Sequence, residues 1–288
     1  MGDRERIPLK NDLQPPISDE VWSRCWMKWA SKPDFAEDIR QHLQERKVLY
    51  SFIREGLGRL TGKTFKVLEV GCGSAIDGHI LAEDEKLKIY GVDRSAESIE
   101  VAKRVSQDFS RAPTFVVSDA NHLSFPEETF DIVLSQGLIE HFRDPLPPLR
   151  EQVRVLKSTG YLIVDVPQKY AGLGLYSLRK HWKIYRGKWE WGWETEYSYL
   201  ELKKLGKSLN LTPICVGGYA YDGLFNFLAN PHIMIEKKAY LSRLKMAQAF
   251  KRFYFRYLKD ANDKLWTWLS DRYGHWFLIC IVVMFKKK

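Results

Sequence analysis

Four short stretches hold residue types that could do chemistry, and each directly follows an apolar run. The first is Glu69-Val70-Gly71-Cys72-Gly73-Ser74-Ala75-Ile76-Asp77. Gly71 and Gly73 let the backbone turn sharply and lie against a ligand with no Cβ in the way. Ser74, with Asp77 three residues on, resembles a capping box opening a helix, and a helix N-terminus there would favour a ligand carboxylate or phosphate. The dinucleotide pattern G-x-G-x-x-G is broken, because Ile76 stands at its third glycine. The second stretch is Val92-Asp93-Arg94. Asp93 lies twenty positions after Gly73, where a carboxylate can accept both hydroxyls of an adenosine ribose; it suits equally a residue in the N-cap region ahead of Ser95. The third is Asp119-Ala120, an acceptor and a backbone N–H that could read an adenine edge. The fourth runs from Ser135 through Gln136 to Glu140-His141.

Strands must position these stretches. Residues 66–70, 88–92, 114–117 and 130–135 read as short buried strands. Asp144-Pro145 predicts a helix start, with Asp as N-cap and Pro at the first helical position; that helix is expected to end at Gly160. A fifth strand follows over 161–166, then a helix over 200–209, a sixth strand over 213–219 and a seventh over 275–285. Strands alternating with helices predict a parallel sheet covered on both faces. Right-handed crossovers then put every strand's C-terminal end on one edge, where open α/β sheets bind ligands. All four stretches converge there.

The remaining segments organise around that core. Residues 1–60 form an N-terminal helical segment: 16–60 read as helix, with Trp22, Trp26 and Trp29 on one face and Ile39, Leu43, Leu49 and Ile53 continuing the spacing. The core is 61–222, carrying an aromatic insertion at 168–196. Residues 223–273 form a basic aromatic helical insertion, and 274–288 hold the final core strand.

Val67-Leu68-Glu69-Val70-Gly71-Cys72-Gly73, Val92-Asp93, Asp119-Ala120, Phe130-Asp131-Ile132-Val133 and Glu140-His141, in this order, resemble class I S-adenosylmethionine-dependent methyltransferases. The likeness covers about 64–167 and is nearest to the small-molecule group that includes ubiquinone-pathway enzymes. It implies an α/β, Rossmann-like, seven-stranded, mostly parallel sheet with an antiparallel last strand and helices on both faces, extended here by N-terminal and C-terminal helical insertions. It implies S-adenosyl-L-methionine as cofactor. Carried over by resemblance, Glu69, Gly71, Cys72 and Gly73 hold the methionine part, Asp93 with Arg94 beside it takes the ribose, Asp119 and Ala120 take the adenine, and Gln136 offers backbone contacts near the methionine amine. Two departures stand out. Ala75 replaces the family's common third glycine. Gly137 replaces a Glu that, in some ubiquinone-pathway members, joins a Glu-His pair in binding a metal, so no required metal is expected.

Methyl transfer from a sulfonium is an in-line displacement in which a positive charge disappears, so a dry pocket and close alignment supply most of the acceleration. An oxygen or nitrogen acceptor, ahead of carbon, benefits from a base. His141, at the strand-four edge, is the expected base or pocket-shaping residue, and Glu140 is its second. His79, His122 and His181 lack such a context.

Composition narrows the classes. The 288 residues carry 45 Lys+Arg against 36 Asp+Glu, a net +9, with 45% hydrophobic residues and 10 Trp, which excludes disorder, collagen and coiled coil. Four cysteines without a C-x-x-C pair exclude a zinc ribbon and suit a reducing cytosol. The charged N-terminus is no signal peptide, Arg6 spoils a myristoylation pattern, and the apolar run 276–285 is too short to span a bilayer. A cytoplasmic protein is therefore expected, either free or peripheral at a membrane surface, with a small acceptor, either plain or hydrophobic, lipid-linked or glycan-linked, and no nucleic acid. The Trp-rich stretch 181–194 is either a lid over the acceptor or a rigid local cluster. Helix 235–259 carries a stripe of Tyr240, Leu244, Ala247, Phe250, Tyr254, Tyr257 and Leu258, read as packing on its own domain or lying on anionic lipid, with Phe253 and Phe255 off the stripe. A nicotinamide-dependent oxidoreductase shares Gly71, Gly73 and Asp93, and a nucleic-acid-binding module would suit the basic charge; these are the competing readings.

Overall fold

The computed structural model describes residues 22, 24, 27, 46–186, 188, 189, 194–220 and 245–288. Apolar runs too short for helices become strands, and charged, amphipathic stretches between them become helices. The order is α1 (Lys47–Gly58), β1 (Phe65–Val70), α2 (Ile76–Ala82), β2 (Leu87–Asp93), α3 (Ala96–Val105), β3 (Thr114–Val117), β4 (Phe130–Gln136), α4 (Leu146–Val155), β5 (Leu156–Pro167), α5 (Leu175–Tyr185), α6 (Tyr199–Ser208), β6 (Leu211–Tyr219), α7 (Lys245–Phe253), α8 (Lys259–Phe277) and β7 (Cys280–Lys287). A π-helical turn, Tyr254–Leu258, joins α7 to α8.

The strands form one sheet in the order β3-β2-β1-β4-β5-β7-β6. All pairings are parallel except those of β7, which runs antiparallel to both β5 and β6. The expected antiparallel last strand is thus present. Strand order reverses between β1 and β4, the switch point at which open sheets leave a crevice. The central strands are buried on both faces, as their continuous apolar runs require. Leu68, Val133 and Leu162 pack on one face, and Val67, Ile132 and Ile163 pack against Leu49 and Ile53 of α1 on the other.

Several expectations shift. The helix expected from Pro145 to Gly160 is Leu146–Val155, with the Asp144 carboxylate accepting the Leu146 N–H at 3.0 Å. Gly160 does not end a helix but lies inside β5, because a Cβ there would sit 2.7 Å from Leu156 Cδ1 and 2.9 Å from the Asp131 carbonyl oxygen. His275 to Phe277 end α8 rather than open the last strand. Of the N-terminal helix, Trp22, Arg24 and Met27 are helical and α1 is formed; Trp26, Trp29, Ile39 and Leu43 lie outside the described residues, as do Tyr240 and Leu244. No helix among the described residues is long and apolar enough to cross a membrane.

Candidate active site

The crevice at the β1/β4 switch is a cavity of about 340 Å³. Its wall is assembled at the ends of four strands: Val70 and Gly71 at the end of β1, Asp93, Arg94 and Ser95 at the end of β2, Ser118 to Ala120 just after β3, and Gln136 to Leu138 at the end of β4. His141, Phe142, Arg143 and Trp22 complete it. Gly71 has φ of +71°, and a Cβ on it would lie 2.8 Å from Leu138 Cδ1, so the loop's approach to its neighbour admits only glycine.

Each expected residue has a definite place. Asp93 stands at the wall with its carboxylate fixed by two backbone donors, Gly73 N–H at 3.0 Å and Ser95 N–H at 2.9 Å. Gly73 thus acts through Asp93 and does not itself line the cavity. Arg94, Asp119 and Ala120 do, and the Asn121 N–H holds Asp119 at 2.8 Å. Gln136 lines the wall and donates from Nε2 to Asp77 at 2.9 Å, while its buried Oε1 finds no hydrogen-bond partner among the described residues. His141 faces the cavity, its ring edge-on to Trp22 at 5.1 Å.

Besides Gly73, three expected residues are not on the wall. Glu69 turns beneath the loop, where it accepts the Gly78 N–H at 3.0 Å; burial and the neighbouring Asp77 push its carboxyl well up. Cys72 packs into a small cluster with Ala75, Ile99 and Ala102. Glu140 is buried and does not line the cavity, its carboxyl raised well above the usual range by desolvation and its Oε2 unpartnered among the described residues. The alternation of wall and interior along a strand-end loop decides these outcomes, and spacing alone does not show it. His79 is a core residue, stacked on Phe109 with Nε2 3.0 Å from the Ala102 carbonyl oxygen.

Residues 62–204 match the model of a methyltransferase-domain family, a span running from before β1 into α6. The core of this chain is a methyltransferase domain. A 2-methyl-6-phytyl-1,4-hydroquinone methyltransferase of Synechocystis is 36% identical over 98 residues, covering 34% of this chain and 30% of that protein. A ubiquinone biosynthesis O-methyltransferase of Aliivibrio fischeri is 27% identical over 145 residues, covering 50% of this chain and 58% of that protein. The chain therefore spans between 30% and 58% of the length of these relatives. A solved SAM-dependent methyltransferase from Thermotoga maritima shares the fold, with a TM-score of 0.54 at 19% identity over 93% of this chain and 99% of that one. The oxidoreductase and nucleic-acid readings are not favoured by these likenesses.

Two features of the methyltransferase domain and its flanks escaped the sequence reading. The first is a buried network beside Gln136. Asp77, expected in a capping box with Ser74, makes no cap; α2 opens instead on Ala75 in the left-handed region with φ of +53°. Asp77 accepts from Arg46 at 3.2 Å, from Gln136 and from the Tyr50 hydroxyl. Arg46 also lies 4.0 Å from Asp165, which accepts the Tyr219 hydroxyl at 2.5 Å. Burial opposes the Arg46 charge, but Tyr219, Asp77 and Asp165 outweigh it and hold the guanidinium protonated. Arg46 and Tyr50 sit four apart at the start of α1, a spacing with no meaning until α1 is placed over the sheet edge.

The second is a buried lysine. Lys180 of α5 pairs with Glu194 at 2.8 Å and Glu196 at 3.3 Å, under the ring of Trp189 at 5.3 Å. Burial raises the Glu194 carboxyl, although Lys180 opposes that. The Thr195 N–H donates to the Glu140 carbonyl oxygen at 2.9 Å, tying this cluster to the loop that carries His141. Within the aromatic insertion, Lys180, Trp189, Glu194 and Glu196 therefore form a packed cluster, with Leu175, Leu178, Trp182 and Tyr185 outside it and exposed; Trp191 and Trp193 lie outside the described residues.

Proposed function

We propose that this chain transfers a methyl group from S-adenosylmethionine to an oxygen or nitrogen of a small, hydrophobic acceptor met at a membrane surface. The observation that carries it is the gathering of Asp93, Asp119, Ala120, Gln136 and His141 on one cavity wall of a methyltransferase domain. The residues fit the cofactor: the glycine cradle at Gly71 would be filled by any Cβ, and the buried Oε1 of Gln136 offers an acceptor where an ammonium group would find one. Bound there, S-adenosylmethionine supplies an electrophilic methyl on a sulfonium. The fixed Asp93 carboxylate would accept from a vicinal diol, and Ser118 to Ala120 would read the base beside it. His141 would take the acceptor's proton at a ring nitrogen, with Trp22 keeping water from that side. Among the described residues no group of three or more His, Cys, Asp or Glu is placed to hold a metal, and the chemistry proposed needs none. The two relatives named above bear names of quinol and quinone-pathway enzymes, which supports an aromatic acceptor with an apolar tail.

Calorimetry with S-adenosylhomocysteine tests the cofactor half. Asp93→Ala should weaken binding roughly tenfold to a hundredfold, the loss of charge-assisted bonds to a diol. His141→Ala should leave that affinity unchanged and lower kcat by about 10² or more. Wild-type affinity in Asp93→Ala would defeat the cofactor placement.

A further inference from the structure

Fifteen of the eighteen large hydrophobic side chains exposed among the described residues lie in just two segments, 170–185 and 246–276. Both segments are helical over most of their length, and both face two ways. In α5, Lys180 and Ile184 point inward and are buried, whereas Leu175, Leu178, Trp182 and Tyr185 form a second stripe at helical spacing that is exposed, Leu178 by 69% and Trp182 by 59%. In α7 and the turn after it, Tyr254 is the buried anchor, held by Asn262 at 2.9 Å, while Met246, Phe250, Phe253 and Tyr257 form an exposed stripe. Neighbouring rings within each stripe touch: Trp182 stacks on Tyr185 at 5.9 Å, and Phe253 meets Tyr257 at 5.2 Å. The two helical segments are joined, because α8 packs on the 171–174 turn that opens α5 and Gln168 Nε2 donates to the His275 carbonyl oxygen at 2.8 Å.

Charge selects the partner. Residues 175–189 contain four exposed Lys or Arg besides the buried Lys180 and no Asp or Glu, and 245–277 contain seven Lys or Arg against three Asp. Arg179, Lys183 and Arg186 border the first stripe and Arg252 and Arg256 the second, all exposed. A second copy of this chain would set cations against cations. An anionic bilayer offers phosphates to the cations and an acyl boundary to Trp, Tyr, Phe and Leu, the composition of helices that lie in the interface plane.

We propose that α5 and the 245–277 helix together form a docking face for an anionic lipid bilayer. The acceptor's membrane origin rests on the methyl-transfer reading above; the docking face does not. Flotation of the whole protein tests it, using phosphatidylcholine vesicles with and without phosphatidylglycerol at low and high salt. The protein should float with the anionic vesicles and lose most of that binding in high salt. Leu178→Glu/Trp182→Glu and, separately, Phe250→Glu/Phe253→Glu should each lower vesicle affinity roughly tenfold or more, and Arg252→Gln/Arg256→Gln should lower it by a similar factor and remove the preference for anionic lipid. Each variant is first titrated with S-adenosylhomocysteine, which reports an intact core. Failure of the wild type to float, or flotation indifferent to both stripes in folded variants, would overturn the docking face. So would sedimentation showing a dimer that the stripe variants dissociate, since the face would then cover itself. Flotation without any binding of S-adenosylhomocysteine would sink the methyl-transfer reading and leave the docking face standing.

Discussion

A partly buried arginine and a fully buried lysine stand behind the two sides of the same cavity wall, and each faces more carboxylates than it can neutralise. Arg46 meets Asp77 and Asp165 behind Gln136; Lys180 meets Glu194 and Glu196 behind the Glu140–His141 loop. The surroundings differ. Each Asp77 oxygen also accepts a neutral donor, Tyr50 on one and Gln136 on the other, and Asp165 accepts Tyr219. In the lysine cluster the Ser177 hydroxyl donates to Glu196 at 2.8 Å, while Glu140 Oε2 has no hydrogen-bond partner among the described residues. An excess of buried negative charge can be met by hydrogen-bond donors or by protons. The first cluster sets donors on Asp77 and Asp165, whereas in the second burial shifts the Glu140 and Glu194 carboxyls toward the protonated form.

Four substitutions break or sharpen this contrast. The largest effect is expected from Lys180→Met, which strands two buried carboxylates and should cost about 4 kcal/mol at pH 8 in urea unfolding. Because burial raises the Glu194 and Glu140 carboxyls, the loss should shrink as the pH falls from 8 toward 5 and protons begin to replace the lysine. Arg46→Met comes next, at about 2 kcal/mol, since Arg46 keeps some solvent contact and Tyr50 and Gln136 still serve Asp77. Its cost should be flat between pH 5 and 8; a pH dependence matching that of Lys180→Met would erase the distinction.

Glu140→Gln should have a smaller effect of opposite sign. A carboxyl whose folded pKa is raised loses folding free energy as pH climbs from the unfolded value, near 4.5, through the folded one. Removing the acid removes that loss, so the variant should be more stable than wild type by about 1 kcal/mol at pH 8 and indistinguishable at pH 4, as thermal melts across pH would show. A variant less stable at pH 8 would mean that Glu140 is ionised and paired. The smallest change is expected for Ala75→Gly in the cofactor loop. Relief of a left-handed alanine, about 1 kcal/mol, is offset by lost burial of a methyl, about 0.8 kcal/mol, and by added unfolded-chain entropy, leaving Tm within a degree or two.

How much could be read beforehand follows from what each feature depends on. The third strand, 114–117, is found at its expected limits, and the first, second and fourth differ by a residue at one or both ends, because apolar runs bounded by charged turns need no distant partner to be recognised. Gly160 reads locally as a helix end, but its place is set by Leu156 in the same strand and by Asp131, which comes near only when β5 docks on β4. Asp77 differs from its local signal for a similar reason: three-residue spacing from Ser74 predicts a cap, but Arg46 and Tyr50, 31 and 27 residues earlier, claim its carboxylate.

The amino-acid sequence by itself determined the alternation of strands and helices, the convergence of Gly71, Asp93, Asp119, Gln136 and His141 on one sheet edge, and the family, since period and order along the chain encode all three. Only tertiary structure decided which neighbours of those residues face the cavity. Glu69, Cys72 and Glu140 are turned inward by the packing of α2, α3 and the 194–196 segment, and a loop residue's direction depends on what lies behind it. Tertiary structure likewise decided that Lys180 is buried while Trp182, two residues on, is exposed. Helical spacing predicts two faces, but which one meets the protein depends on where Glu194, Glu196 and Trp189 come to rest.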